Sequence, residues 1–178
     1  MKKRILILLC AMALSPAVFA SGSQNFFKLH IFDNDTREIK SLLNSQVRYA
    51  NRTNFNKFIA TYDKDYVNAD GFNLETYSNL VKDVWDTYDN IVYGIKIKDI
   101  SVKDDSATVE VTETSYADIP VSSTMDGVLT SESNSIYYLK KNDGDWKVAS
   151  DKVLSETTSM LYGDINNLSK ILSSGNFL

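Results

Sequence analysis

The amino-acid sequence predicts an α+β domain in which three helices precede an antiparallel meander of strands. Apolar residues recur at helical spacing as far as Tyr88, and after Asn90 the apolar period drops to two. The strand-like runs are separated by short polar turns of Asp, Asn and Gly, as neighbouring antiparallel strands require.

The chain opens with a different signal. Met1 to Arg4 is basic, Ile5 to Leu14 is a nearly unbroken apolar run, and Pro16 interrupts it before Val18 and Ala20. That order is an export signal at residues 1–20, cleaved between Ala20 and Ser21. The apolar run falls short of the roughly 20 residues that span a bilayer, so no membrane anchor is expected after cleavage. Cys10 follows Leu9 in mid-run, where lipidation is not expected.

Cleavage leaves 158 residues, about one domain, with no cysteine and hence no disulfide. Losing Lys2, Lys3 and Arg4 takes the formal charge from −4 to −7. Nucleic-acid binding needs clustered cations to neutralise phosphates, and none is present, so that partner class is excluded. Pro120 is the only proline of the mature chain, and there is neither a repeat nor a linker.

Residues 21–35 read as a leader, in which the aromatic stretch Phe26 to Phe32 adds a strand or a tether. Asp35 and Glu38 then resemble a capping box, and Ile39, Leu42, Leu43, Val47 and Ala50 share one helical face. A short second helix starts after Thr53 or Asn54 and carries Phe55, Phe58, Ile59 and Tyr62. Asp70-Gly71 turns the chain and Asn73 caps a third helix, whose stripe runs Leu74, Tyr77, Leu80, Val81, Val84, Trp85 and Tyr88.

Ile91, Tyr93, Ile95 and Ile97 form the first strand, and the phase slips near Asp99 so that Ile100 and Val102 resume it, as a bulge would require. After a turn at Lys103 to Ser106, Ala107, Val109 and Val111 share a face of the second strand. A third strand runs from Ile136 to Lys141, and Asn142-Asp143-Gly144-Asp145 turns into a fourth carrying Trp146 and Val148. Asp164 caps a last short helix with Ile165, Leu168, Ile171 and Leu172 on one side. It is expected to close the domain as a lid or to brace the sheet.

Residues 36–155 resemble the nuclear transport factor 2-like superfamily, in particular its SnoaL-like and ketosteroid-isomerase-like members. The resemblance lies in VRYANRTNFNKFIATYDKDYV, in the DG turn into the third helix, and in NDGDWKVASDKV at the terminal hairpin. It implies that the helices pack in a strongly curved antiparallel sheet, a cone whose interior holds a small apolar ligand or a catalytic pocket. On this division residues 156–178 are an extension. The resemblance also brings in scytalone-type dehydratases, whose pattern leans on histidines. The one histidine here, His30, precedes the matched region.

The isomerase pattern needs a base and hydrogen-bond donors for an enolate. Asp70 reads better as part of a plain turn. Glu113 is the stronger candidate, because the parity of Ala107, Val109 and Val111 continues to it if the strand keeps register. A buried carboxylate has a raised pKa and can act as acid or base, with Tyr93 or Tyr138 on neighbouring strands orienting a ligand beside Val111. Asp104-Asp105 and Asp143 to Asp145 lack the alternating oxygens and closing Glu of a calcium loop, and no motif calls for zinc, a phosphate or any cofactor.

These observations leave three functions for a periplasmic or secreted protein. The first is a noncatalytic binding domain for a small apolar ligand. The second is a small isomerase, dehydratase or hydrolase using a pocket carboxylate. The third is an interaction module pairing as a homodimer through an outer face that carries Thr108, Thr112, Thr114 and Tyr116. An inward acid paired with a donor across the cone separates the second from the first. N-terminal sequencing of the exported protein is expected to begin at Ser21, and a retained Met1 with membrane association contradicts export.

Overall fold

The computed structural model describes residues 31–119 and 126–163. Three helices, α1 (Ile31–Ala50), α2 (Phe55–Ile59) and α3 (Leu74–Thr87), precede four strands, β1 (Asp89–Lys103), β2 (Ser106–Ile119), β3 (Asp126–Asn142) and β4 (Asp145–Gly163). The strands form one antiparallel sheet in the order β1-β2-β3-β4. The leader before Ile31 and the predicted C-terminal helix lie outside the described residues.

The sheet's curvature follows from where its ladders break. Strand β2 pairs with β3 from Ser106↔Lys140 to Ile119↔Gly127 without a shift. Its pairing with β1 slips twice, between Asp89 and Val92 and between Ile97 and Asp99, the latter at the bulge expected from the sequence. Two further slips lie in β3–β4, where Ala149 and Leu154 are left over. Bulges raise local twist and bend the strand that carries them, so the sheet curls around the helices.

Helix α1 packs along this concave face, with Ile39, Leu43, Gln46 and Ala50 all buried. Its two ends are pinned. At one end Lys141 Nζ on β3 donates to Asp35 at 2.7 Å and to Glu38 at 2.9 Å, and Trp146 Nε1 on β4 donates to Asp35 at 3.2 Å. At the other, Asn51 brackets the Tyr93 backbone, accepting from its N–H at 2.6 Å and donating to its carbonyl at 3.0 Å. The Lys141 ammonium holds the Asp35 carboxyl below its usual range. The helix therefore begins four residues before the expected capping box, and Asp35 serves as a tertiary anchor within it rather than as a cap.

Asn54 caps α2 and Asn73 caps α3, each by accepting a backbone N–H. Trp146 is buried in the core, whereas Trp85 is only half-buried and packs against Phe55 and Phe58 at 6.1 and 5.5 Å. Strands β3 and β4 are much longer than the sequence suggested, and β4 passes the expected domain boundary at residue 155 to reach Gly163. Ser131, Ser133 and Ser135 stand where the alternation would need apolar residues, which hid the first half of β3.

Asp35→Ala is expected to lower unfolding stability by about 1–3 kcal/mol, because it orphans the Trp146 N–H and leaves Lys141 with one partner. Asp35→Asn keeps an acceptor for Trp146 and is expected to cost less. Equal urea midpoints for the two variants contradict this anchoring.

Candidate functional site

The unbroken β2–β3 ladder places Val109, Val111 and Glu113 on the concave face, opposite Tyr137, Ser135 and Ser133. From β1 come Tyr93, Ile95 and Ile97, opposite Ser115, Glu113 and Val111. On β4 the residue left over at Ala149 turns the face around. Val148 pairs with Leu139 and Asp151 pairs with Tyr137, so both point inward although they stand three positions apart, an odd offset.

The segment between α2 and α3 completes the site by running beside β4. Asp63 N–H donates to the Val148 carbonyl at 2.8 Å, and Ala69 N–H donates to that of Asp151 at 2.9 Å. Asp63 fixes the turn by accepting from the Asp65 N–H at 2.8 Å and from the Asn142 amide. Tyr62 and Tyr66, four residues apart in this turn, are thereby buried against β4. Tyr77 of α3 packs on both rings, with centroids 4.9 and 5.3 Å away.

Two carboxylates and five phenols share the interior. Tyr66 Oη donates to Asp151 Oδ1, and Tyr93 Oη donates to Glu113 Oε2 at 2.7 Å. Tyr137 Oη lies 3.1 Å from Tyr93 Oη. Since the single Tyr93 proton goes to Glu113, Tyr137 must donate to Tyr93, and the chain is polarised toward the carboxylate. Tyr62 and Tyr77 share one bond of 2.8 Å between two hydroxyls, which leaves one of their two protons unspent within the pair.

Burial first, then the nearby Glu113 charge, pushes the Asp151 carboxyl up to about 6, against the pull of the Tyr66 hydrogen bond. Burial also pushes Tyr62, Tyr66, Tyr77, Tyr93 and Tyr137 up, so all five phenols are neutral donors at ordinary pH. Tyr66 and Tyr77 feel both carboxylates. Glu156 lies further along the same face with Ser131 at 3.0 Å, and burial raises its carboxyl too. Asp151, Glu113 and Tyr93 are half-buried, which leaves the cluster within reach of solvent.

Of the residues singled out in the sequence, Tyr93, Val111 and Glu113 stand together on the concave face. Tyr138 does not join them: it lies on the convex face, 41% exposed, and its neighbour Tyr137 takes the inward position. The β2–β3 register decides this, pairing Tyr137 with inward Val109 and Tyr138 with outward Thr108. Asp151 escaped sequence reasoning because strict alternation from Val148 turns it outward, and only the bulge brings it in. Tyr62 and Tyr77 were visible as apolar-stripe residues, which conceals the use of their hydroxyls. Asp70 is exposed at its turn, and Ala20 and Ser21 lie outside the described residues.

A separate groove of about 540 Å³ runs between α1, α2 and the β3–β4 turn, lined in part by Leu42, Tyr49, Lys57 and Trp146. It holds none of the groups just described. Among the described residues no cluster of His, Cys, Asp or Glu is placed to hold a metal ion.

No protein-family profile and no curated protein sequence matches the chain. Solved structures do. A scytalone dehydratase candidate from Novosphingobium aromaticivorans superposes with a TM-score of 0.61 at 14% identity, over 73% of this chain and 91% of that one. A conserved protein from Planctomyces limnophilus gives 0.59 at 10% identity, over 67% and 94%. The hexachlorocyclohexane dehydrochlorinase LinA type 2 gives 0.55 at 13% identity, over 72% and 90%. Three helices held in a curled four-stranded sheet, matched at this level by these structures, give the chain the cone fold of the nuclear transport factor 2-like superfamily.

Proposed function

We propose that this protein is a small exported enzyme of the acid–base type, moving a proton on a carbon acid bound in the cone. The observation that carries this reading is the pairing of two half-buried carboxylates with phenol donors on one concave face, Asp151 with Tyr66 and Glu113 with Tyr93. A noncatalytic cone for an apolar ligand has no need of charged groups in its interior, where each costs desolvation. The cluster therefore favours the catalytic alternative over simple binding.

In this reading ionised Asp151 takes a proton from carbon beside a carbonyl. The spare proton of the Tyr62–Tyr77 pair meets the developing oxyanion, and the protonated Asp151 returns its proton at another atom or to a departing group. A carboxyl near 6 suits both halves of that exchange at neutral pH. Glu113, at the end of its polarised phenol chain, accepts a hydrogen bond from the ligand. Two of the fold neighbours are named for eliminations, a dehydratase and a dehydrochlorinase, and elimination begins with such a proton abstraction.

The test is deuterium uptake from D2O into a panel of small cyclic ketones and enones, followed by proton NMR. Exchange is expected to rise with pH through about 6, as Asp151 ionises, and to fall by at least about 100-fold in Asp151→Asn. No exchange above buffer, or an undiminished rate in Asp151→Asn, contradicts the assignment.

The raised carboxyl has a second consequence. Folded Asp151 holds its proton more tightly than the unfolded chain does, so its contribution favours the native state below the ordinary carboxylate range and is lost as pH rises through about 6. Asp151→Asn is therefore expected to be more stable than wild type at pH 8, by roughly 1–3 kcal/mol after allowing for solvent screening. The difference is expected to vanish near pH 3. Urea midpoints that differ equally at both pH values contradict the shift.

A further inference from the structure

Most polar side chains of the cone interior hydrogen-bond one another, but Gln46 and Ser135 have no partner among the described residues. Gln46 on α1 is fully buried, and neither its amide nitrogen nor its amide oxygen has a hydrogen-bond partner among the described residues. Ser135 Oγ on β3 is 1% exposed and equally unpartnered. A buried amide left without partners is destabilising relative to a satisfied or apolar side chain. Gln46 sits between Leu43 and Ala50 on the core-facing stripe, where an apolar side chain of similar size carries no such cost.

The frame puts the two orphans at one level. Asn51 fixes the end of α1 at Tyr93, and Asp35 fixes its start beside Lys141 and Trp146, so α1 runs antiparallel to β1. Gln46 precedes Asn51 by five residues, about 7.5 Å of helix or roughly two strand residues. That places it level with Ile95 to Ile97. Ile97 pairs with Val111, and Val111 pairs with Ser135, so the same rung ends on the second orphan. The next rung, Ile95↔Glu113, carries the carboxylate held by Tyr93.

We infer that Gln46 and Ser135 form the recognition floor of the cone and take a neutral carbonyl-bearing group with an adjacent donor, such as an amide, lactam or hydroxy-ketone. The inference rests on the cone being a small-molecule site and adds the class of molecule it takes. Gln46 offers a donor and an acceptor side by side, which an amide-like group pairs with reciprocally, and the Ser135 hydroxyl supplies a further bond. Charge narrows the class. Glu113, Asp151 and Glu156 all line the concave face, and Lys141, the one Lys or Arg that the strand registers bring onto it among the described residues, is held at its rim by Asp35 and Glu38, so a carboxylate or phosphate ligand meets repulsion. The side chain that weakens the empty fold is the one that selects the ligand.

Binding of a matched pair, 2-naphthamide and 2-methylnaphthalene, measured by ligand-observed NMR on the mature protein, tests this directly. Wild type is expected to prefer the amide by roughly ten-fold. Gln46→Leu is expected to abolish or reverse that preference, and to raise the urea midpoint by removing the orphan amide. Ser135→Ala, a smaller change, is expected to reduce the preference in part and guards against misfolding of the first variant. Equal binding of the two probes by wild type, or an unchanged preference in both variants, overturns the inference. So does a tightly held internal water that satisfies Gln46 and stays in place with the amide bound. Asp151→Asn separates this inference from the proposed chemistry: it is expected to lose proton exchange and keep the amide preference.

Discussion

Between Ser106 and Ile119, strand β2 pairs with β3 residue for residue, and the polar groups of the cone take their places from that ladder. Side chains alternate faces with a period of two, so one slipped residue in β2 turns Glu113 outward and Val109 and Val111 with it. Burial of the two valines, each at 1% exposure or less, therefore holds a charged residue in the interior. The bulges belong to the flanking ladders. The one near Asp99 keeps β1 in phase with β2, and the one at Ala149 brings Asp151 inward. Apolar packing sets the register, and the register sets the chemistry.

The interior that results is tense. Two carboxylates are drawn partly out of water, and each is compensated by one phenol rather than by a cation. A cation would drive the Asp151 pKa down and leave it inert as a base near neutrality, which is how Lys141 treats Asp35 at the outer end of α1. The phenols support charge without neutralising it. Gln46 and Ser135, buried more deeply, add polar groups without a hydrogen-bond partner among the described residues. Such departures from a consistent core concentrate at sites of function, where stability gives way to preorganisation.

The legible parts of the sequence were those where one pattern ran unopposed. Three helices, two of them with asparagine caps, the slip near Asp99 and the inward parity of Glu113 all follow from apolar spacing. The pattern failed where tertiary partners overruled it. The start of α1 was missed because Asp35 bonds Lys141 and Trp146, which lie more than a hundred residues away. Ser131, Ser133 and Ser135 disguised half of β3, since a serine looks alike facing a polar interior or solvent. Tyr137 and Tyr138 are adjacent, and a one-residue choice of parity exchanged them. Asp151 depended on a bulge set by the α2–α3 segment beside it, whose Val67 N–H donates to the Ala149 carbonyl at 3.3 Å. Chemistry assembled from five elements leaves little trace in local spacing.

Asp151 carries the account, and carbon-13 NMR titration of its side-chain carboxyl reports on it without a known substrate. In protein labelled at aspartate, the Asp151 resonance is expected to titrate near pH 6, well separated from exposed aspartates. Tyr66→Phe is expected to move it higher still, because the phenol's hydrogen bond stabilises the ionised form. An Asp151 that titrates with the exposed aspartates near pH 4, unmoved by Tyr66→Phe, would contradict a desolvated acid–base group in the cone.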